Sequence, residues 1–239
     1  MRWEPKPIPD DEAIKLLQSQ IGISRNTSII LAQRGINNYH IAKSFFRPKF
    51  NNLHDPFLMK DMKSATDRII EAINNKEKIL IYGDYDVDGV TSTALLTNFL
   101  RQKSNNIFPY IPDRETEGYG VSVNGIKKAI KKQVSLIISI DCGIKALKEV
   151  EYAKKNNIDF IICDHHLPES EIPNAIAVLD PKRVDCKYPF KELCGCGIGF
   201  KLIQALSLEW DIDTRQLINY LDLVSLATVA DQVPLYDEN

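Results

Sequence analysis

The stretch KILIYGDYDVDGV, residues 78–90, decides the fold of this chain. It joins an apolar run, ILIY, to a turn that carries Asp84, Asp86 and Asp88, and then to GVTSTALLTNFLRQ, in which apolar residues recur at helical spacing. A short run that is apolar at every position is typical of a strand covered by helices on both faces. The stretch therefore predicts a strand, a turn and a helix of an α/β unit.

The same alternation continues along the chain from Lys76. Further strand-like runs occur in IFPYIPD, SLIISID, DFIICDHH and AIAVLDP, and amphipathic stretches separate them. LIISI and FIIC are apolar throughout, as buried parallel strands must be. The predicted fold class is therefore α/β, with a doubly wound, mainly parallel sheet flanked by helices.

Residues 1–75 have a different pattern. DDEAIKLLQSQ and DMKSATDRIIEAINN carry apolar residues three and four positions apart, which indicates short helices, and Asp10 or Asp11 is placed to cap the first. Between these helices, FFRPKFNNLHDPF reads as an ordered loop. We predict a helical lead-in over residues 1–75, packed on a catalytic domain over residues 76–239.

Composition limits the classes of function. A formal net charge of -2 provides no broad basic surface for duplex DNA, so any contact with nucleic acid must be local. The sequence contains neither a leader peptide nor an apolar run of the ~20 residues that cross a membrane, which predicts a cytoplasmic protein. The five cysteines are predicted to be reduced, and Cys194 and Cys196 lack the further ligands of a zinc site.

Acidic residues and histidines follow the apolar runs. Ligands of open parallel sheets bind outside the carboxyl ends of the strands, so these are the positions to inspect. The residues that could converge there are Asp84, Asp86, Asp88, Asp141, Asp164, His165, His166 and Asp231. Carboxylates gathered in one crevice repel one another unless cations neutralise them. Oxygen ligands with imidazole and no thiolate favour Mn²⁺, or else Mg²⁺, and the number of carboxylates suits two ions.

Two other motifs share part of this pattern. DxDxDG from Asp84 matches the start of a calcium-binding EF-hand, but the twelfth position is Leu95 instead of glutamate and a strand precedes the motif. DVDGV resembles the opening motif of haloacid-dehalogenase-type phosphatases, which leaves Asp141 and the DHH triplet without a role. Both alternatives explain less than a metal centre built from all the strand ends.

GDYDVDG, SIDCGI, ICDHHLP and ATVADQVPL together resemble the motifs of the DHH phosphoesterase superfamily. The flanking stretches FFRP, IPDRETEGYG and DPKRVDCKYPFKELCGCGIGFKL narrow the resemblance to the RecJ-like single-strand-specific exonucleases. The resemblance covers nearly the whole chain. It implies a metal-dependent hydrolase that digests single-stranded DNA in the 5′ to 3′ direction and releases nucleoside 5′-monophosphates in DNA repair and recombination.

The resemblance also implies roles for individual residues. Asp84 and Asp86 divide between the two ions, Asp141 bridges them, and His165 and Asp231 complete the second site. Asp88 either ligates or holds the turn. Asp164 orients an imidazole and His166 contacts the scissile phosphate, so that Asp141, Asp164, His165 and His166 form the catalytic group. Arg114 and Tyr119 are candidate contacts to a phosphate and a base of the strand.

The chain departs from the family in two respects. The family usually has asparagine where this chain has Asp180, and it continues beyond Asp231 into further domains, so we expect this chain to be the N-terminal catalytic portion. Its partners are expected to be single-stranded DNA and other repair proteins, with no membrane. The alternatives are a DHH-type phosphodiesterase or pyrophosphatase acting on a small nucleotide, and a non-catalytic replication scaffold.

Overall fold

The computed structural model describes Arg2 and residues 4–239. Backbone packing divides the chain into two compact units, residues 1–53 and residues 54–239. The first unit contains α1 (Asp11–Ile21), α2 (Arg25–Ala32) and α3 (Tyr39–Phe46). These helices pack around Leu17, Leu31, Ile36 and Ala42. Asp10 caps α1 by accepting a hydrogen bond from the Glu12 amide, as the sequence predicts.

The second unit is built on a five-stranded sheet in the order β2-β1-β3-β4-β5, and every pairing is parallel. The strands are β1 (Ile79–Tyr82), β2 (Ile107–Tyr110), β3 (Leu136–Ile140), β4 (Asp159–Cys163) and β5 (Ala177–Leu179). The predicted α/β class and the predicted strands are confirmed. Pro109 lies in β2, an edge strand, where its missing amide hydrogen leaves no inner ladder bond unmade.

Helices cover the sheet. The helices of this unit are α4 (Met62–Asn74), α5 (Val87–Arg101), α6 (Val123–Lys131), α7 (Leu147–Lys155), α8 (Gly195–Glu209) and α9 (Leu221–Ala230), with 3-10 helices at Pro56–Leu58 and Thr214–Tyr220. A further short 3-10 helix, Phe50–Asn52, belongs to the first unit. α6 and α7 share one core cluster with the sheet, whereas α5 and α8 pack together and contact β3. The strand order reverses between β1 and β3, which creates the crevice where such sheets bind ligands.

The division between the units falls after residue 53 and not near residue 75. α4 buries Met62, Ala65, Ile69 and Ala72 and packs against α8 and β5, so it belongs to the sheet-containing unit. The amphipathic pattern of α4 reveals a buried face but not the partner of that face. The packing of the lead-in on the core stays a prediction. Within the described part of the chain, no helix combines the length and the apolar character needed to cross a membrane.

Candidate metal centre

The turn after β1 brings three aspartates to the carboxyl edge of the sheet. Asp86 caps α5, because its carboxylate accepts a hydrogen bond from the Gly89 amide at 2.9 Å. A side chain on Gly89 would lie 2.5 Å from the Asp84 carbonyl oxygen, so the helix can pack this closely on the turn only with glycine. Asp84 and Asp88 are buried, whereas Asp86 is exposed.

Asp88 receives its hydrogen bonds from another helix. The backbone amides of Gly195 and Cys196, at the start of α8, donate to its two carboxylate oxygens at 2.6 and 2.7 Å. The partial positive charge of a helix N-terminus stabilises an anion at this position. Cys194 caps the same helix, with its sulfur 3.4 Å from the Gly197 amide nitrogen. Within LCGCGIGF, the Cys194 side chain thus caps α8 and the Cys196 backbone amide binds Asp88. All five cysteines are free and buried.

Asp141, the residue directly after β3, has an unusual backbone conformation. Its φ angle is +61°, in the left-handed region that residues other than glycine seldom adopt, and its amide donates to the Cys163 carbonyl at 2.9 Å. Gly195 lies against it, since a Cβ at Gly195 would be 2.7 Å from the Asp141 Cβ. Strained backbone of this kind persists where the surrounding structure holds it, often at functional sites. Contact from both β4 and α8 provides that support.

His165 is the centre of a ring of carboxylates. Its Nε2 lies 3.1 Å from Asp141 Oδ1, 3.7 Å from Asp88 Oδ2 and 3.7 Å from Asp231 Oδ2. Although the contact with Asp141 is short, its geometry is not that of a hydrogen bond, and both ring nitrogens of His165 are buried without a hydrogen-bond partner in the described residues. Asp84 Oδ1 is in the same condition. Buried lone pairs of this kind are suited to a cation.

In the described part of the chain, three groups of side chains could each hold a metal ion, because the ligand atoms within each group lie within 4.8 Å of one another. The groups are Asp84, Asp86 and Asp141; Asp88, His165 and Asp231; and Asp141, His165 and His166. Asp141 and His165 each occur in two groups, so the groups are neighbours. The structure thus gathers every residue that the sequence predicts as a metal ligand. It also adds His166, which the sequence assigns to the phosphate alone.

The carboxylates of this cluster are costly to ionise without a cation. Burial, followed by the negative charges of Asp88 and Asp86, raises the pKa of Asp141 far above its usual range. Burial likewise raises the pKa of Asp84 and of Asp88. Burial and the neighbouring His166 lower the pKa of His165, which keeps the imidazole neutral and available as a ligand. The donor set of carboxylates and imidazole therefore fits Mn²⁺ or Mg²⁺.

Asp164, the first residue of the DHH triplet, forms hydrogen bonds with the two histidines that follow it. One oxygen accepts hydrogen bonds from the amides of His165 and His166, at 2.8 and 3.1 Å, and lies 2.7 Å from His166 Nδ1. The other accepts from the Ile144 amide at 2.9 Å. Burial alone would raise the pKa of Asp164, but these hydrogen bonds, led by the one with His166, outweigh it and lower the pKa. The same bond raises the pKa of His166.

The two predicted substrate contacts lie beside this cluster. The Arg114 guanidinium carbon is 5.2 Å from the centre of the Tyr85 ring, and Tyr85 stands between Asp84 and Asp86. The Tyr119 hydroxyl lies 3.1 Å from His166 Nε2. The geometry brings both side chains next to the candidate ligands. The contacts that Tyr82, Tyr110 and Glu117 make in and around the same segment were not predicted from the sequence.

Asp180 follows β5 and is fully buried. One oxygen accepts from the Lys182 amide at 2.7 Å, while Oδ2 has no hydrogen-bond partner among the described residues. Burial, with a further contribution from Asp164, raises the pKa of Asp180 to about 7. The folded chain therefore keeps a proton that the unfolded chain releases near pH 4. Its contribution to stability falls as pH rises between these two values.

We expect Asp180→Asn to stabilise the protein at pH 8 and to change little at pH 4. The shift of about three pKa units sets an upper limit of ~4 kcal/mol, so a gain of about 2 kcal/mol is expected in the free energy of unfolding. Denaturant melts in chelator at the two pH values measure it. Asp211→Asn, at an exposed turn, is the matched control. A gain that is equal at both pH values would contradict the assignment.

Comparisons with known proteins agree with this geometry. Residues 78–228 match the model of the DHH family, N-terminal domain. The single-stranded-DNA-specific exonuclease RecJ of Bacillus subtilis is 44% identical over the whole of this chain, which covers 30% of that protein. The crystal structure of exonuclease RecJ bound to manganese superposes with a TM-score of 0.68 and 31% identity, covering 74% of this chain and 45% of that one.

The structure of RecJ from Thermus thermophilus in complex with Mn²⁺ gives a TM-score of 0.78 over 95% of this chain and 32% of that one. At 24% identity, this second structure supports the fold alone. The chain spans about a third of the length of the Bacillus subtilis relative. On the match to the family model, which covers most of the sheet-containing unit, the chain belongs to the DHH family.

Proposed function

We propose that this chain is the catalytic portion of a metal-dependent exonuclease that hydrolyses single-stranded DNA. The observation that carries the proposal is the convergence of three candidate ligand groups, with Asp141 and His165 each belonging to two of them. The similarity to proteins named as single-stranded-DNA-specific exonucleases supports the choice of substrate. The proposal includes 5′ to 3′ digestion to nucleoside 5′-monophosphates, a role in DNA repair and recombination with other repair proteins as partners, and a cytoplasmic location.

The ligand groups suggest how two ions would be held. Asp84, Asp86 and Asp141 would hold one ion, and Asp88, His165 and Asp231 the other, with Asp141 placed to bridge them. When bound, two divalent ions lower the pKa of a shared water and stabilise charge on the attacked phosphodiester. Manganese is our first choice and magnesium the second, since both accept carboxylate ligands.

The remaining side chains would bind and orient the strand. The Asp164 hydrogen bond raises the pKa of His166, so a protonated ring can donate from Nε2 to a phosphate oxygen. Arg114 offers a planar guanidinium for a second phosphate, and its position over Tyr85 keeps it near the ligands. Tyr119, with 58% of its surface exposed, offers a ring face on which a base can stack.

The test is hydrolysis of three substrates by the same preparation, each with Mn²⁺ and with excess chelator. The substrates are a 5′-phosphorylated single-stranded oligonucleotide, a dinucleotide and pyrophosphate. Release of mononucleotides from the oligonucleotide, lost on chelation, is the expected result. Hydrolysis of the dinucleotide or pyrophosphate alone would replace the proposal by a small-substrate phosphodiesterase or pyrophosphatase. Hydrolysis of none of the three with Mn²⁺ would indicate a non-catalytic scaffold.

His166→Ala separates the contact with phosphate from metal binding. We expect hydrolysis to fall by about a hundredfold, the effect typical of a positioned proton donor. Binding of Mn²⁺, measured by calorimetry without DNA, should remain within about threefold of the unmodified protein, because the ligand groups that we assign to the ions do not require this ring. A large loss of Mn²⁺ affinity would instead make His166 a ligand.

A further inference from the structure

The segment DRETEGYGVS, residues 113–122, lies between β2 and α6 and carries both predicted substrate contacts, Arg114 and Tyr119. It forms one wall of a cavity of about 310 Å³ beside the DHH triplet. The cavity is lined by Tyr119, Gly120 and Val121 of this segment, by residues 143–146 and Glu149, and by Asp164 and His166. The position of this segment therefore determines the shape of the space next to His166.

A buried carboxylate holds the middle of the segment. The side chain of Glu117 is only 5% exposed, and both of its oxygens accept from the Tyr110 hydroxyl, at 2.5 and 2.7 Å. The Ser122 hydroxyl donates to it at 2.8 Å, and Lys128 Nζ lies 3.0 Å away. Burial alone would raise the pKa of Glu117, but these partners outweigh it and lower the pKa to about 2. Glu117 is therefore ionised and fully engaged at neutral pH.

A second tyrosine holds the end of the segment. Tyr82 pairs in register with Tyr110 at the carboxyl ends of β1 and β2, and their ring centres are 5.0 Å apart. The buried Tyr82 hydroxyl donates to the Gly120 carbonyl at 3.2 Å and accepts from the Ser122 amide at 3.0 Å. Gly125 allows α6 to pass close, since a Cβ there would be 2.4 Å from the Tyr82 ring. Two neighbouring strands thus fix the segment directly.

We propose that Glu117 is a positioning residue, which holds Tyr119 against His166 and so sets how tightly the DNA strand binds. This inference rests on the proposed function, because it concerns the strand bound at the same site. Among the described residues, the side-chain hydrogen-bond partners of the Glu117 carboxylate are Tyr110, Ser122 and Lys128, none of which is a candidate metal ligand. Loss of Glu117 should therefore weaken strand binding while leaving the metal centre and the chemical step intact.

The test compares the kinetics of Glu117→Ala with those of the unmodified protein on a single-stranded oligonucleotide with saturating Mn²⁺. We expect KM to rise about tenfold, which corresponds to about 1.4 kcal/mol. The turnover number kcat should fall by less than about threefold, as for loss of an interaction that the ground and transition states share. Anisotropy with a nuclease-resistant phosphorothioate oligonucleotide should show the same tenfold loss of affinity. A fall in kcat with KM unchanged would overturn the proposal.

Two variants control for charge and for folding. Glu115→Ala removes an exposed carboxylate from the same segment and should leave KM unchanged. Glu117→Gln keeps an oxygen for Tyr110 and Ser122 and loses only the charge facing Lys128, whose side chain is 55% exposed. Because the exposed Lys128 ammonium can turn to water, the loss of this half-exposed ion pair should cost little, and KM should stay within about threefold of the original value. A tenfold rise in KM for Glu115→Ala as well would show that any truncation in this segment weakens binding, and would overturn the specific positioning role of Glu117.

A double-mutant cycle shows whether Glu117 acts through Tyr119. If it does, Tyr119→Ala should reproduce most of the rise in KM, and the double variant should be no worse than the worse single variant. Additive effects would contradict the coupling. The outcome is separable from that of the proposed function: an unmodified protein without activity on DNA overturns the function, whereas an active protein with an unchanged Glu117→Ala variant overturns only this inference.

Discussion

Asp141→Asn is expected to remove nearly all hydrolysis and to weaken Mn²⁺ binding by more than about a hundredfold, beyond the effect typical of residues that only support a ligand. Asp141 belongs to two of the candidate ligand groups, so one substitution affects both. Asparagine keeps the shape of the side chain and tolerates the left-handed backbone at this position. Calorimetric titration with Mn²⁺ measures the loss, and unchanged binding would refute the bridging assignment.

The same substitution should stabilise the metal-free protein. Folded Asp141 has a pKa raised by burial and by neighbouring carboxylates, so above about pH 4 its ionisation opposes folding. Asparagine removes that cost, and the melting temperature in chelator at pH 8 should rise. The unmodified protein should gain about 2.7 kcal/mol from Mn²⁺ at a hundred times its Kd, and the variant almost nothing. Equal gains from Mn²⁺ in the two proteins would contradict the assignment a second time.

Gly195→Ala is expected to reduce hydrolysis by about a hundredfold, although residue 195 offers no side chain to the metal. Its new Cβ would lie 2.7 Å from Asp141 Cβ and 2.9 Å from Asp141 Oδ1, so one of the two elements must move. The Gly195 amide also donates to Asp88, so a shift of α8 would displace a second carboxylate. Displacement by about 1 Å is enough to cost a hundredfold in rate.

Gly197→Ala, two residues further along the same helix, is the matched control. Its Cβ would lie 3.2 and 3.3 Å from two side-chain atoms of Leu193, which can adjust by a few tenths of an ångström, and 3.7 Å from Cys194 Sγ, which is ordinary van der Waals contact. This variant should keep its activity within about threefold, because helix propensity improves and the ligands stay in place. Similar losses in both variants would show that α8 tolerates no added methyl group, and that the contact with Asp141 has no special role.

The fold could be predicted because apolar runs report burial on both faces of a sheet. ILIY, LIISI and FIIC each became a buried strand, and the acids directly after them met at one edge, since parallel strands end together. The position of Asp231 was harder to anticipate, because it follows helix α9 instead of a strand. The apolar run before Asp231 makes it a candidate, the DHH resemblance assigns it to the second metal site, and the 3.7 Å contact with His165 agrees with that assignment.

Other features depend on contacts between distant parts of the chain, which no local pattern reports. The boundary between the compact units lies after residue 53 instead of the predicted residue 75, because α4 buries its apolar face on α8 and β5. The amides of Gly195 and Cys196 meet Asp88 across more than a hundred residues of sequence, and backbone donors leave no signal in side-chain identity. The sequence does not distinguish Glu117 from a surface glutamate, because its partners Tyr110 and Ser122 are identified only by the folded structure.

The two helix starts at the metal centre affect its charge balance. The five candidate acids, Asp84, Asp86, Asp88, Asp141 and Asp231, carry five negative charges when ionised. The N-termini of α5 and α8, which meet Asp86 and Asp88, each supply about half a positive charge. With two divalent cations the site is close to neutral, whereas with one it remains about doubly negative and repels a phosphodiester. The strand should therefore enter only after the second ion, so that ion occupancy determines the order of binding.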